Sequence, residues 1–294
     1  SVATIFLLFT FLLSHNASQQ LEDLAVEDLH NQSNGMVDTV EMFNTSLSEE
    51  VESYTRLFTT FLPQPLNSDS SQSRTINGLT VPLLKGGETE LHENNTLSDD
   101  FLSRTGAIST LFVRSGNDFV RVATSLRKEN GDRAIGTVLD TTSPAFAAVT
   151  KGEVYLGLAL LFGKRYITQY QPVKNAEGQV IGIIFVGVDI THSWNVMREK
   201  ILNRRLGESG HFFVLDRSSG KTRGQYLFHA SEEGKLPNWD TATQQQLLSD
   251  KAGTLERVSA DGRTLKVAYT PLPGWNWTIV GEVDKAVLLS SVTT

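Results

Sequence analysis

The chain has no cysteine in 294 residues, which excludes disulfides, thiolate zinc sites and a thiol nucleophile. This absence fits a bacterial extracytoplasmic protein without disulfides as well as a cytoplasmic one. Catalytic signatures are missing too. The histidines (His15, His30, His92, His192, His211 and His229) are scattered, with no HExxH pair, no GxSxG elbow and no phosphate-binding glycine loop. The expectation is therefore no enzyme, no organic cofactor and no metal, since the carboxylates left as metal ligands are dispersed. A formal net charge of −7 repels a phosphate backbone and excludes nucleic acid as a natural partner. Lysine and arginine do not occur before Arg56.

What is present is a globular mixture, 39% apolar and 20% charged, long enough for one large core or two ordinary ones. The run Val2–Leu13 (VATIFLLFTFLL) carries no charge but covers only about half of the ~20 residues that cross a bilayer. It is read as the outer part of a membrane helix. The alternatives are a signal-peptide h-region, for which a basic n-region and a good small-residue cleavage pattern are missing, and a buried core helix. From Met36, apolar residues recur at Val40, Phe43, Leu47, Val51, Tyr54, Phe58 and Phe61. These steps of three and four place one stripe along a helix. Leu21, Ala25 and Leu29 extend it backwards, so a continuous helix is expected from the apolar run to Leu62, ended by Pro63 and Pro65. Residues 14–62 hold nine acidic residues and one basic one. By the positive-inside rule this segment belongs outside the membrane, and its acids read as a solvated helix face.

Pro63–Ser73 reads as a connection rich in Pro, Ser and Asn. A first module is expected over residues 74–192, with strands at Ile76–Leu84, Ala107–Arg114, Phe119–Ser125, Tyr155–Phe162, Tyr166–Val173 and Val180–Val188. Short helices are expected near Leu97–Arg104 and Pro144–Thr150. The turn NAEGQ (Asn175–Gln179) joins the last two strands. A helical link (193–206) leads to a second module (207–286) that repeats the pattern at smaller size, with a helix around Thr241–Ser249.

These pieces resemble a known family. FVRVATSLRKENGDRAIGT (Phe119–Thr137), SPAFAAVTKGEVYLG (Ser143–Gly157), LFGKRYITQYQPV (Leu161–Val173), GIIFVGVDI (Gly182–Ile190), GESGHFFVLD (Gly207–Asp216) and GWNWTIVGEV (Gly274–Val283) are similar to the extracytoplasmic Cache sensor domains of bacterial methyl-accepting chemotaxis proteins. The resemblance is to the double form, a Cache 3 type module fused to a Cache 2 type. It implies an α+β fold in which a long N-terminal helix, continuing from a membrane span at 1–13, is followed by two PAS-like antiparallel-sheet modules. It also implies a second span after Val287, a place in the bacterial inner membrane with this domain in the periplasm, and a chemotaxis output module. A histidine kinase or cyclic-nucleotide enzyme is the alternative output, and a structural or interaction module without ligand is the alternative function.

The chemistry-bearing residues lie in the first module. Arg121 sits among β-branched and apolar residues, so its guanidinium needs an anion or carbonyls. One reading is a bidentate contact to a small carboxylate, an organic acid or amino acid; the other is a structural pair with Asp140 or Asp189. Period-2 geometry puts Lys164, Tyr166, Thr168 and Tyr170 on one strand face, where Lys164, Tyr166 and Thr168 are taken as ligand-binding residues. Tyr155 and Phe162 are expected as aromatic walls, or as core. Thr124 is preferred to Ser125 beside Arg121, although simple parity selects Ser125 unless a bulge intervenes. The helix stripe is expected to pack partly on its own module and partly on a second copy, giving a homodimer.

Overall fold

Helix α1 (Val2–Phe61) runs for 60 residues and stops just before Pro63, which can neither donate nor accommodate the preceding turn. The computed structural model describes residues 1–290, except the side chain of Leu289. Residues 2–20 of α1 are exposed throughout. Farther along, Leu29, Met36, Val40, Leu47, Val51 and Phe58 are buried, so the stripe is largely covered by the chain itself. The described residues pack as two compact units, one of residues 44–193 and one of residues 1–43 with 194–290.

In the 44–193 unit, α1 is followed by strands β1 (Leu66–Ile76), β2 (Leu79–Gly86) and β3 (Thr89–Glu90), which form a small sheet. Two expectations change here. The Ser-rich connection is itself a strand, and Ile76–Leu84 is not one strand but a hairpin, with Asn77 and Gly78 at φ 47° and 78°. Asn-Gly with both residues at positive φ is the type I′ turn that matches strand twist. Helix α2 (Thr96–Thr105) then brings Phe101 against Tyr54, Phe58 and Phe61 of α1, with ring centroids 6.2, 5.0 and 5.7 Å apart.

The main sheet of this unit contains β4 (Ile108–Ser115), β5 (Asp118–Thr124), β6 (Tyr155–Leu161), β7 (Lys164–Lys174) and β8 (Val180–Asp189), in the order β5-β4-β8-β7-β6. All neighbours are antiparallel. Between β5 and β6 the chain crosses one face of the sheet and forms helix α3 (Pro144–Thr150), capped by Ser143, whose Oγ accepts from the Phe146 N–H at 3.1 Å. The core of the unit lies on that face, where Phe112, Phe119, Tyr170, Ile183 and Phe185 of the sheet meet Leu126, Ala134, Leu139, Ala145 and Val149 of the crossing segment.

The other unit has the same plan. Helix α4 (Thr191–Leu202) leads to β9 (His211–Asp216), β10 (Tyr226–Phe228), helix α5 (Thr241–Leu247), β11 (Gly253–Val258), β12 (Thr264–Leu272), β13 (Trp277–Asp284) and helix α6 (Lys285–Ser290). Its sheet order is β10-β9-β13-β12-β11. Phe213, Leu215, Leu247, Val267, Tyr269 and Val280 form the core on one face. On the same sheet Gly281 leaves room for α1: a Cβ there would stand 3.0 Å from Leu29 Cδ1. Glu22 of α1 pairs with Lys266 and Lys285, tying the helix to β12 and α6.

Candidate ligand-binding site

The site is set by a register step between β4 and β5. Phe112 pairs with Arg121 but Leu111 pairs with Ala123, which makes Val122 the extra residue of a β-bulge. Thr110 and Phe112 share a face, so their partners Thr124 and Arg121 do as well. One rung then crosses the whole sheet on that face: Thr124, Thr110, Phe185, Tyr170 and Tyr155 are successive cross-strand partners. Gly157 opposite Thr168 makes the next rung on β6 and β7.

Arg121 is 4% exposed. Its Nη1 donates to Thr137 Oγ1 at 2.9 Å, while its Nε is buried without any hydrogen-bond partner. The guanidinium lies against two rings, 4.9 Å from the centroid of Phe112 and 5.9 Å from that of Phe162. Burial lowers its pKa from the ordinary arginine value, with Tyr170 acting in the opposite sense; a guanidinium is not deprotonated in a folded protein. Asp140 and Asp189 do not pair with it. Each is captured locally, Asp140 by the N–H and hydroxyl of Thr142 at 2.9 and 2.7 Å, and Asp189 by those of Thr191 at 2.8 and 2.6 Å.

Phe162 reaches the guanidinium from an unusual backbone. The β6–β7 hairpin turns on Phe162 and Gly163, at φ 48° and 82°. This is the geometry that Asn77 and Gly78 supply elsewhere in the unit, but here a bulky residue takes the position that favours Asn. Such strain, on the order of 1 kcal/mol, concentrates at functional sites.

The other sequence-selected residues divide into two groups. Tyr155 and Tyr166 line the same face, with burial raising the pKa of both phenols. Thr124 and Thr168 are fully buried there, but their hydroxyls serve the fold: Thr124 Oγ1 accepts from the Leu126 N–H at 3.0 Å, and Thr168 Oγ1 donates to the Gly157 carbonyl at 2.8 Å. Lys164 is exposed, at the hairpin rim.

Residues not selected from sequence also belong to this set. Phe112 and Thr137 become neighbours of Arg121 only through the fold. Tyr170 was legible by strand parity; it is buried at the centre of the rung, 5.9 Å from Tyr155 and 4.7 Å from Phe185 by ring centroids. Burial pushes its pKa up to about 12, so the phenol is neutral and can donate or accept. The arrangement is one lone cation among aromatic rings and neutral hydroxyls, suited to a small anion with an apolar body.

The equivalent face of the other unit keeps its charges paired. Glu282 is buried and takes Nε and Nη2 of Arg257 at 2.6 and 3.0 Å, and Arg217 meets the exposed Asp250 through Nη2 at 2.5 Å while its own Nε and Nη1 are buried without a hydrogen-bond partner. Within the 44–193 unit, a groove of about 590 Å³ lies on the opposite sheet face, lined by Glu52, Thr55, Arg56, Gln169, Gln171 and Val173. It contains no buried charge.

Residues 14–293 match the model of the Cache 3/Cache 2 fusion domain family. Among solved structures, the ligand-binding domain of Mlp24 with asparagine is 17% identical, with a TM-score of 0.53 over 94% of this chain and 99% of that one. The sensory domain of the Campylobacter jejuni chemoreceptor Tlp3 with isoleucine bound is 12% identical, with a TM-score of 0.53 over 93% and 97%. The extracellular domain of mmHK1S-Z2, assigned as a histidine kinase, is 13% identical, with a TM-score of 0.51 over 92% and 99%. At these identities the likeness is one of fold. No curated protein matches the chain.

Proposed function

The chain belongs to the Cache 3/Cache 2 fusion domain family, and we propose that it is the extracytoplasmic sensor of a bacterial inner-membrane chemoreceptor, binding a small carboxylate at Arg121. The observation that carries this reading is the buried guanidinium with an unpartnered Nε. An unsatisfied charged donor is costly in a folded core, and a ligand carboxylate would satisfy it. Residues 74–192 are then the ligand-binding module, 207–286 a second module, and 193–206 the link between them. The proposed membrane anchor is the apolar start of α1. It is the one helix among the described residues long and apolar enough to cross a bilayer, and its apolar window is unburied.

The named ligands of the Mlp24 and Tlp3 structures are amino acids, each bearing a carboxylate, which supports a small acid here. The likeness to mmHK1S-Z2 favours, as a second reading, a sensor that controls a histidine kinase through the same ligand site. A thermal-shift screen of organic acids and amino acids on the purified chain tests the binding reading, because a ligand selective for the folded state raises the midpoint by mass action. Midpoint shifts confined to carboxylates are expected. A response only to uncharged or cationic compounds would contradict it.

A further inference from the structure

Resting on the carboxylate reading above, we infer that the ligand is a monoanionic acid that carries no ammonium group, unlike the amino acids of the Mlp24 and Tlp3 structures. The inference comes from a charge census of the 44–193 unit. Among the described residues Arg121 is the only charged residue buried there; the other buried polar residues are serines and threonines. A carboxylate beside Arg121 gives a neutral buried pair. A zwitterionic amino acid on the same guanidinium leaves a net positive charge in an apolar site, and an uncompensated buried charge is expensive.

Among the described residues no carboxylate of this unit is buried to correct that imbalance. Asp189 stands opposite Tyr166 but is exposed and already accepts two hydrogen bonds from Thr191. Glu129 approaches the hairpin at Gly163, yet it too is exposed. Aromatic faces can hold an ammonium. The two beside the carboxylate position, Phe112 and Phe162, are already taken by the guanidinium, so a second cation there would face the first.

Matched pairs differing only in the ammonium group test this by calorimetry: propionate against L-alanine, 4-methylpentanoate against L-leucine, and 3-phenylpropionate against L-phenylalanine, each on the parent chain and on Arg121→Met. In whichever size binds, the acid should bind about tenfold or more tighter than its amino acid, and Arg121→Met should weaken that binding by about thirtyfold or more. An amino acid that binds as well as or better than its acid, with the binding weakened likewise in Arg121→Met, overturns the ligand class while leaving the carboxylate site standing. Binding as tight in Arg121→Met as in the parent, or no binding by any of the six compounds, removes the site and the inference with it.

Discussion

Arg121 and Thr124 project from one face of β5 although they stand three positions apart, because the bulge at Val122 adds one residue to the strand. Without it, period-2 alternation would turn Thr124 away and bring Ser125 to that face. With it, Thr124 is locked into the rung beside the arginine and Ser125 is left to accept the Ser109 N–H at 3.1 Å. The bulge therefore decides what surrounds the guanidinium.

A cation kept for a ligand should be a liability to the empty fold. Arg121→Met replaces a buried, partly unsatisfied charge with an apolar side chain of similar reach, so the ligand-free variant should unfold within about 1 kcal/mol of the parent, or later. Urea denaturation measures it. A loss of roughly 3 kcal/mol or more would instead mark Arg121 as a structural residue.

Phe162 offers the same contrast between stability and function. Phe162→Asn puts the preferred residue at the first turn position, and a gain of roughly 0.5–1 kcal/mol in stability is expected. The aromatic wall over the guanidinium is lost, so affinity for the acid should fall by about fivefold or more. A variant with unchanged affinity would show that Phe162 only packs.

Stability should also fall on mild acidification. His92 Nε2 accepts the Leu84 N–H at 2.9 Å, which requires the neutral ring, and burial lowers its pKa below the ordinary 6.5. The unfolded chain thus binds the proton more readily. The stabilisation is present above the unfolded value and is lost as pH falls through the folded one. Melting midpoints compared at about pH 7.5 and pH 5.5 should drop for the parent and drop less for His92→Gln. Equal drops would remove His92 as the source.

Much of the fold could be read from residue order, and the misses have local causes. The α1 stripe, the cap at Ser143 and the turn at Asn175–Gln179 all follow from short-range rules. The Asn77-Gly78 turn is equally visible in residue order although it sits inside an apolar run, while β1 is not, because its serines favour loops over strands. At the site, both aspartates considered as partners for Arg121 stand two residues before a threonine, a local arrangement that captures a carboxylate. That signal could have excluded them. Phe112, by contrast, reaches the arginine only through strand register.

The helix retains apolar surface off its buried stripe, since Leu24, Met42 and Leu57 are exposed. Leu24 and Met42 lie about five turns apart and share a helix face. A weak parallel dimer through this face is expected in sedimentation velocity, strengthening with concentration and lost in Met42→Glu. A monomer at every concentration would contradict it.

The most direct test of the carboxylate site is a calorimetric titration of the parent and Arg121→Met with the tightest acid found by the screen. If Arg121 is the charge partner, the variant should lose about thirtyfold or more in affinity, the equivalent of roughly 2–5 kcal/mol for an unpaired buried charge, while remaining folded. A folded Arg121→Met chain that binds the acid as tightly as the parent would place the ligand elsewhere.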